Sequence, residues 1–185
     1  MTRLIDKVAV ISGAGAGIGK ATAKTFAREG AMVVVAEIDK EKGLAVAKEI
    51  GKAAVFVHTD VTDEESVNNV MNTAVEKFGC LNILFNCAGG SVANDTITTE
   101  VDMDVWDHTI PLDLRGPFLC SRFGIPKMIE SGGGSVINVS SVVALRGNHP
   151  AHVYSTAKGG LISLTRSLAG AYSSKGVRAN VVCPG

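Results

Sequence analysis

Six short apolar runs rich in β-branched residues, at residues 8–12, 33–37, 55–59, 83–86, 135–140 and 178–183, alternate along the chain with stretches long enough to be helices. Strands kept so far apart do not join as tight hairpins. The connection that suits them is the helical crossover, and repeated crossovers build a parallel sheet covered on both faces. The predicted helices run over about residues 17–29, 40–50, 63–78, 103–131 and 153–173. Local signals agree with this division. Asp39 stands where the second helix needs an N-cap, Thr62 with Glu65 makes a capping-box pattern for the third, and Gly30 and Gly79 follow the first and third as stops. Pro111 and Pro117 each remove an amide donor inside the fourth, which predicts a kink. The expected fold is α/β, a Rossmann-like doubly wound parallel sheet in three αβα layers. No repeat, low-complexity tract or linker divides residues 1–185, so one domain is expected.

Charge narrows the partners. Eighteen basic residues balance 18 acidic ones, leaving no net attraction for nucleic acid or an anionic lipid surface, and neither is expected as a partner. Cys80, Cys87, Cys120 and Cys183 match no zinc or CxxC spacing and read as reduced core residues. Residues 1–7 show no charged-then-apolar leader and no run of eighteen apolar residues occurs, so a cytoplasmic protein is expected.

Ser12-Gly13-Ala14-Gly15-Ala16-Gly17-Ile18-Gly19 comes directly after the first strand and opens the first helix. Glycines let backbone amides approach a pyrophosphate, and the helix N-terminus adds partial positive charge. The register is GxxxGxG, at Gly13, Gly17 and Gly19, a longer loop than GxGxxG. Eighteen residues past Gly19, the second strand ends at Glu37, whose carboxylate can bind adenosine ribose hydroxyls and repel a 2′-phosphate. No lysine or arginine stands at Ala14, Gly15, Ala16 or Ile38 to neutralise such a phosphate, so NAD is the expected cofactor. Asp60, after the third strand, is a candidate for the adenine amino group.

Tyr154 and Lys158 stand four residues apart in a predicted helix, which places an ammonium one turn from a phenol. A free tyrosine has a pKa near 10, so a nearby cation and a partly dry pocket are needed to favour the phenolate at neutral pH. Ser141, thirteen residues earlier at the end of an apolar strand, is placed to hold a substrate oxygen beside it.

With these pieces in order, the chain resembles the short-chain dehydrogenase/reductase family, in its single-domain branch with a TGxxxGxG glycine motif. Ser12 stands for the family threonine, Asp60-Val61 matches the adenine-binding position, and Asn86-Cys87-Ala88-Gly89 matches NNAG with Cys87 for the second asparagine. The residues from Gly134 to Ser141 are similar to the strand carrying the family serine, and Cys183-Pro184-Gly185 looks like the PG turn that approaches the nicotinamide.

The resemblance implies reversible hydride transfer between NAD(H) and the CH–OH or C=O group of a small alcohol or ketone. Tyr154 is then the general acid or base, Ser141 holds the reacting oxygen, and Lys158 binds the nicotinamide ribose and lowers the tyrosine pKa. The implied cofactor contacts are Gly13, Ala16, Gly17, Ile18, Gly19, Glu37, Asp60, Val61, Asn86, Ala88, Gly89, Tyr154, Lys158, Pro184 and Gly185. No metal is expected. The fourth helix and the tyrosine helix form a dimer surface in the family, so a homo-dimer or homo-tetramer is expected. Ala157, Gly160, Ser163, Ser167 and Ala171 are small enough to allow close approach there.

Two departures from the family pattern matter. Leu112-Asp113-Leu114-Arg115-Gly116 puts Asp113 where the family has a catalytic asparagine. An ionised Asp113 near Lys158 is expected to cancel part of its pull on Tyr154 and raise the tyrosine pKa. Family members also continue past the PG turn. The chain therefore reads as a member truncated there, with the last strand or strands and much of the substrate segment absent. These departures give an alternative reading, a nucleotide-binding protein with little or no catalysis. Three smaller readings remain: His149 and His152 as pocket lining rather than a metal pair, Trp106 as packing for the fourth helix, and Val142, Val143, Leu145 and Val153 as an apolar wall near the reacting oxygen.

Overall fold

A computed structural model describes residues 2–185. Its elements alternate along the chain: β1 (Val8–Ser12), α1 (Gly17–Arg28), β2 (Met32–Glu37), α2 (Lys40–Ile50), β3 (Ala54–His58), α3 (Glu64–Phe78) and β4 (Ile83–Asn86) come first. The second half holds α4 (Met103–Ile110), α5 (Gly116–Glu130), β5 (Gly134–Val139), α6 (His152–Tyr172) and β6 (Val177–Val182). The six strands form one parallel sheet in the order β3-β2-β1-β4-β5-β6. The order reverses between β1 and β4, because successive crossovers run first to one side of β1 and then to the other. This is the Rossmann-like doubly wound arrangement, and a crevice opens at the carboxyl ends of the two strands at the reversal.

Period-two alternation in β1 and β2 feeds two cores. Val10 and Val34 point to one face with Leu84 and Val136, where α3 and α5 contribute Val67, Met71, Leu119 and Met128. Ala9, Ile11, Val33 and Val35 point to the other, against Ala23 of α1 and Val46 of α2. Burial on both faces explains why these strands read as continuous apolar runs.

The caps expected at Asp39 and Gly79 form. Asp39 accepts from the amides of Glu41 and Lys42, and Gly79 ends α3 with φ +84°. The capping box does not form. Asp63 caps α3 instead, accepting from Ser66 N at 2.8 Å, while Thr62 turns back to donate to Asp60 Oδ1. The single long fourth helix is also corrected. A π-helical turn over Pro111–Arg115 separates α4 from α5, and the Gly116 amide reaches back five residues to the Pro111 carbonyl. Pro111 and Pro117 both lack the N–H an unbroken α-helix would use there, so the chain takes the wider ring.

Candidate active site

The crevice at the sheet reversal is a cleft of about 730 Å³. Its floor is the glycine turn. Gly13 has φ +65° and Gly17 φ +49°, a region that favours glycine, and a side chain at Gly13 would run into the backbone of Ala88. A side chain at Gly17 would meet open space, so there it is the left-handed backbone and not crowding that calls for glycine. Ser12 ties the turn to the next strand by accepting from the amides of Cys87 and Ala88.

Glu37 ends β2 at the rim of the cleft, with its carboxylate already oriented. One oxygen accepts from Gly15 N at 2.8 Å and the other from the amides of Ile38 and Asp39. Asp60 and Val61 line the same end, with Asp60 Oδ1 held by Thr62. Gly13, Ala16, Gly17, Ile18, Gly19, Ala88, Gly89, Ser141, Tyr154, Lys158, Pro184 and Gly185 also line the cleft.

Asn86 does not. It is 1% exposed and donates to Asn138 Oδ1 at 2.8 Å, and Asn138 in turn donates to Thr165 Oγ1 at 2.9 Å. This amide chain joins β4 and β5 to α6, so Asn86 braces the cleft from behind. Other expectations also give way. Of the four cysteines only Cys120 is fully buried, and Cys87 lines the cleft. Trp106 is 40% exposed. His149 and His152 lie outside the cleft lining and accept from the amides of Ala151 and Thr98. Val142, Val143, Leu145 and Val153 stand outside it too; Val143 and Val153 are buried, while Leu145 is 65% exposed. Among the described residues no cluster of three or more His, Cys, Asp or Glu is placed to hold a metal ion, and no helix is long and apolar enough to cross a membrane.

Residues 7–185 match the family model described as short chain dehydrogenase. The chain is a short-chain dehydrogenase. It is 41% identical to an uncharacterized oxidoreductase of Thermotoga maritima over 98% of this chain and 72% of that protein. It is 40% identical to the meso-2,3-butanediol dehydrogenase of Serratia marcescens, again over 98% of this chain and 72% of the relative. With the cis-4-hydroxycyclohexanecarboxylate dehydrogenase of Sinomonas cyclohexanicum it shares 38% identity over 97% of this chain and 73% of the relative.

In this short-chain dehydrogenase one wall of the cleft carries the polar groups that can do chemistry. Ser141 leaves β5 and caps the short 3-10 turn Val142–Leu145, and the amide of Val142 holds the Pro184 carbonyl at 2.9 Å. Lys158, 4% exposed, donates from Nζ to Val139 O at 3.0 Å, and its ammonium lies 5.4 Å from the centre of the Tyr154 ring. Behind it stands Asp113, fully buried on the π-helical turn, with Oδ1 2.9 Å from Lys158 Nζ. This contact is an ion pair off the hydrogen-bonding direction, since Oδ1 has no aligned donor; Oδ2 accepts from Gly90 N at 3.4 Å.

The pair reverses the simple expectation for the phenol. Tyr154 is raised above the ordinary tyrosine value, by burial first and then by the Asp113 carboxylate, while the Ser141 hydroxyl pulls the other way. Asp113 is itself raised by burial, which the adjacent Lys158 ammonium opposes. The lowered tyrosine expected from Lys158 alone is therefore not found in the protein by itself. Its neighbours are a cation and an anion, and the anion acts against ionisation of the phenol.

Proposed function

We propose that this short-chain dehydrogenase transfers hydride between NAD(H) and the carbinol or carbonyl carbon of a small alcohol or ketone, with Tyr154 as general acid and base. The observation that carries this reading is the convergence of the glycine turn, Glu37 and the Ser141–Tyr154–Lys158 wall on one cleft. The residues fit a dinucleotide: the glycine turn lines the cleft where α1 starts with no side-chain cap of its own, and the volume lies within the range of small-molecule sites. Gly13, Ala16, Gly17, Ile18 and Gly19 would hold the phosphates, Glu37 the adenosine ribose, Asp60 and Val61 the adenine, and Ala88, Gly89, Lys158, Pro184 and Gly185 the nicotinamide half. When bound, NAD supplies a hydride acceptor.

The chain's own residues handle the proton and the oxygen. Ser141 Oγ donates a hydrogen bond to the substrate oxygen and Tyr154 Oη takes the hydroxyl proton as the C–H bond breaks; in reduction Tyr154 returns it to the alkoxide. Lys158 stabilises the ionised phenol. Asp113 holds the ammonium in place while tempering its charge, which also favours a second reading, nucleotide binding with little turnover.

The names of the two characterised relatives suggest acyclic diols and cyclic hydroxy acids as a first substrate panel. NADH formation from NAD and this panel tests the reading. No NADH or NADPH formed with any of them would overturn it. Glu37 carries the cofactor preference: a carboxylate facing a 2′-phosphate costs enough to favour NAD over NADP by about 100-fold in kcat/KM, and Glu37→Gln narrows that ratio by at least about tenfold. An unchanged ratio removes Glu37 from cofactor selection.

We further propose a homo-dimer or homo-tetramer. Met103 and Trp106, one turn apart in α4, are 63% and 40% exposed, and Ser163, Ser167 and Ala171 leave an exposed small-residue strip on α6. Ala157 and Gly160 serve the fold instead, the first buried and the second against Leu114. Light scattering at micromolar concentration is expected to give a multiple of the chain mass; a monomer counts against this surface.

A further inference from the structure

The tyrosine helix begins without a cap of its own. Ala151 precedes it and offers no side-chain acceptor, and the first turn contains no acidic residue. A helix start leaves its first amides unpaired, and here those of His152, Val153 and Tyr154 are all met from one distant segment. The Thr96 carbonyl accepts from His152 N at 3.2 Å, Asp95 Oδ1 from Val153 N at 3.2 Å, and Asp95 Oδ2 from Tyr154 N at 2.8 Å. The same segment is fastened once more, because Thr98 donates its amide to His152 Nδ1 at 3.0 Å. Asp95 is only 9% exposed and does not line the cleft. It belongs to the irregular connection that leaves the cleft at Gly89 and Gly90 and leads to α4.

A carboxylate at this end also suits the helix dipole, and it straddles the amide of the proposed catalytic tyrosine itself. Its position fixes where the first turn starts, and hence where the phenol stands relative to Ser141. We propose that Asp95 is a positioning residue: its carboxylate caps α6 across Val153 and Tyr154 and locks the Tyr154 phenol into the cleft wall. The inference rests on the proposed role of Tyr154 for its kinetic consequence but not for its structural one.

Two readouts separate these. The chain has only two tyrosines, so Tyr172→Phe leaves Tyr154 as the sole phenol for ultraviolet titration. In that background Asp95→Ala is expected to lower the Tyr154 titration midpoint towards the ordinary value near 10, because a frayed first turn lets water reach a phenol that burial had raised. Amide exchange at Val153 and Tyr154 should accelerate at least about tenfold while residues 158–172 keep their protection. With turnover assayed in the otherwise native chain, Asp95→Ala should lower kcat by about ten- to a hundredfold at an NADH Kd within about threefold of the parent. Asp95→Asn retains one acceptor oxygen and should recover kcat to within about tenfold.

An unchanged midpoint and unchanged exchange in Asp95→Ala overturn the proposal whatever the activity. So does a parallel loss of NADH binding and of protection throughout α6, which marks a general structural role. Should Asp95→Ala not fold, the same titration and exchange on Asp95→Asn decide, with smaller displacements in the same directions expected. If the parent chain turns over no substrate, the proposed function fails while the two spectroscopic readouts still test Asp95.

Discussion

Tyr154→Phe is expected to lower kcat for NADH formation by about three orders of magnitude while changing the NADH Kd by less than about threefold. The substitution removes one oxygen atom and keeps the ring that packs 5.4 Å from the Lys158 ammonium, so the wall of the cleft survives. What disappears is the group proposed to accept the hydroxyl proton as the hydride departs. Ser141 cannot replace it. A serine hydroxyl donates to the substrate oxygen but is too weakly basic to take its proton, and Ser141 Oγ already accepts from Val143 N at 3.3 Å. Steady-state rates and NADH fluorescence titration of the two proteins check the prediction. A variant that keeps kcat within about tenfold takes Tyr154 out of the proton transfer. A variant that loses NADH binding in equal measure shows that the phenol served the cofactor and not the chemistry.

How much of this was legible in the sequence depends on the range of the interaction. Strand positions were readable because β1 and β2 are buried on both faces, so every residue from Val8 to Ile11 and from Val33 to Ala36 is apolar and the signal does not alternate. The glycine turn was readable because its backbone demand is local, a φ of +65° at Gly13 and +49° at Gly17 that favours glycine. The tyrosine and lysine sit one helical turn apart, a distance sequence can measure.

What failed was set by partners far along the chain. Asn86 pairs with Asn138 and does not line the cleft because β4 is flanked by β5, a pairing invisible in the motif around residue 86. Thr62 was available as a cap, but Asp60 claimed its amide and hydroxyl and left Asp63 to serve α3. Asp95 went unnoticed for the same reason: its two acceptor contacts lie 58 and 59 residues away, and a loop aspartate has no local signature. The two prolines did announce a disturbance in the fourth helix. That it takes the form of a π-helical turn, carrying Asp113 inward to Lys158, needed the packed structure.

That turn makes Asp113 the residue on which the pH range of the enzyme should depend. With Asp113 ionised, an anion stands 2.9 Å from the Lys158 ammonium, and the phenol experiences an ion pair in place of a free cation. The sign follows directly. A negative charge raises the Tyr154 pKa, so removing it lowers that pKa and makes the phenolate available at lower pH. Asp113→Asn preserves the shape of the side chain and its oxygen towards Lys158, so the substitution changes charge more than packing. The rising limb of kcat for alcohol oxidation against pH is therefore expected to move to lower pH, and kcat near neutrality to rise at least about threefold. The reduction direction should move oppositely, since a more acidic phenol carries less of the proton that reduction requires. Ultraviolet titration of Tyr154 in the Tyr172→Phe background reads the same displacement without any substrate.

Superimposable pH profiles and an unchanged phenol midpoint would mean that Tyr154 feels no charge from Asp113, either because Asp113 holds a proton at its raised pKa or because Lys158 fully screens it. A parent chain without measurable oxidation near neutrality that gains it on Asp113→Asn would place this carboxylate as the brake behind the second reading. Nucleotide binding would then be the property of the native sequence, and hydride transfer a capacity its cleft retains.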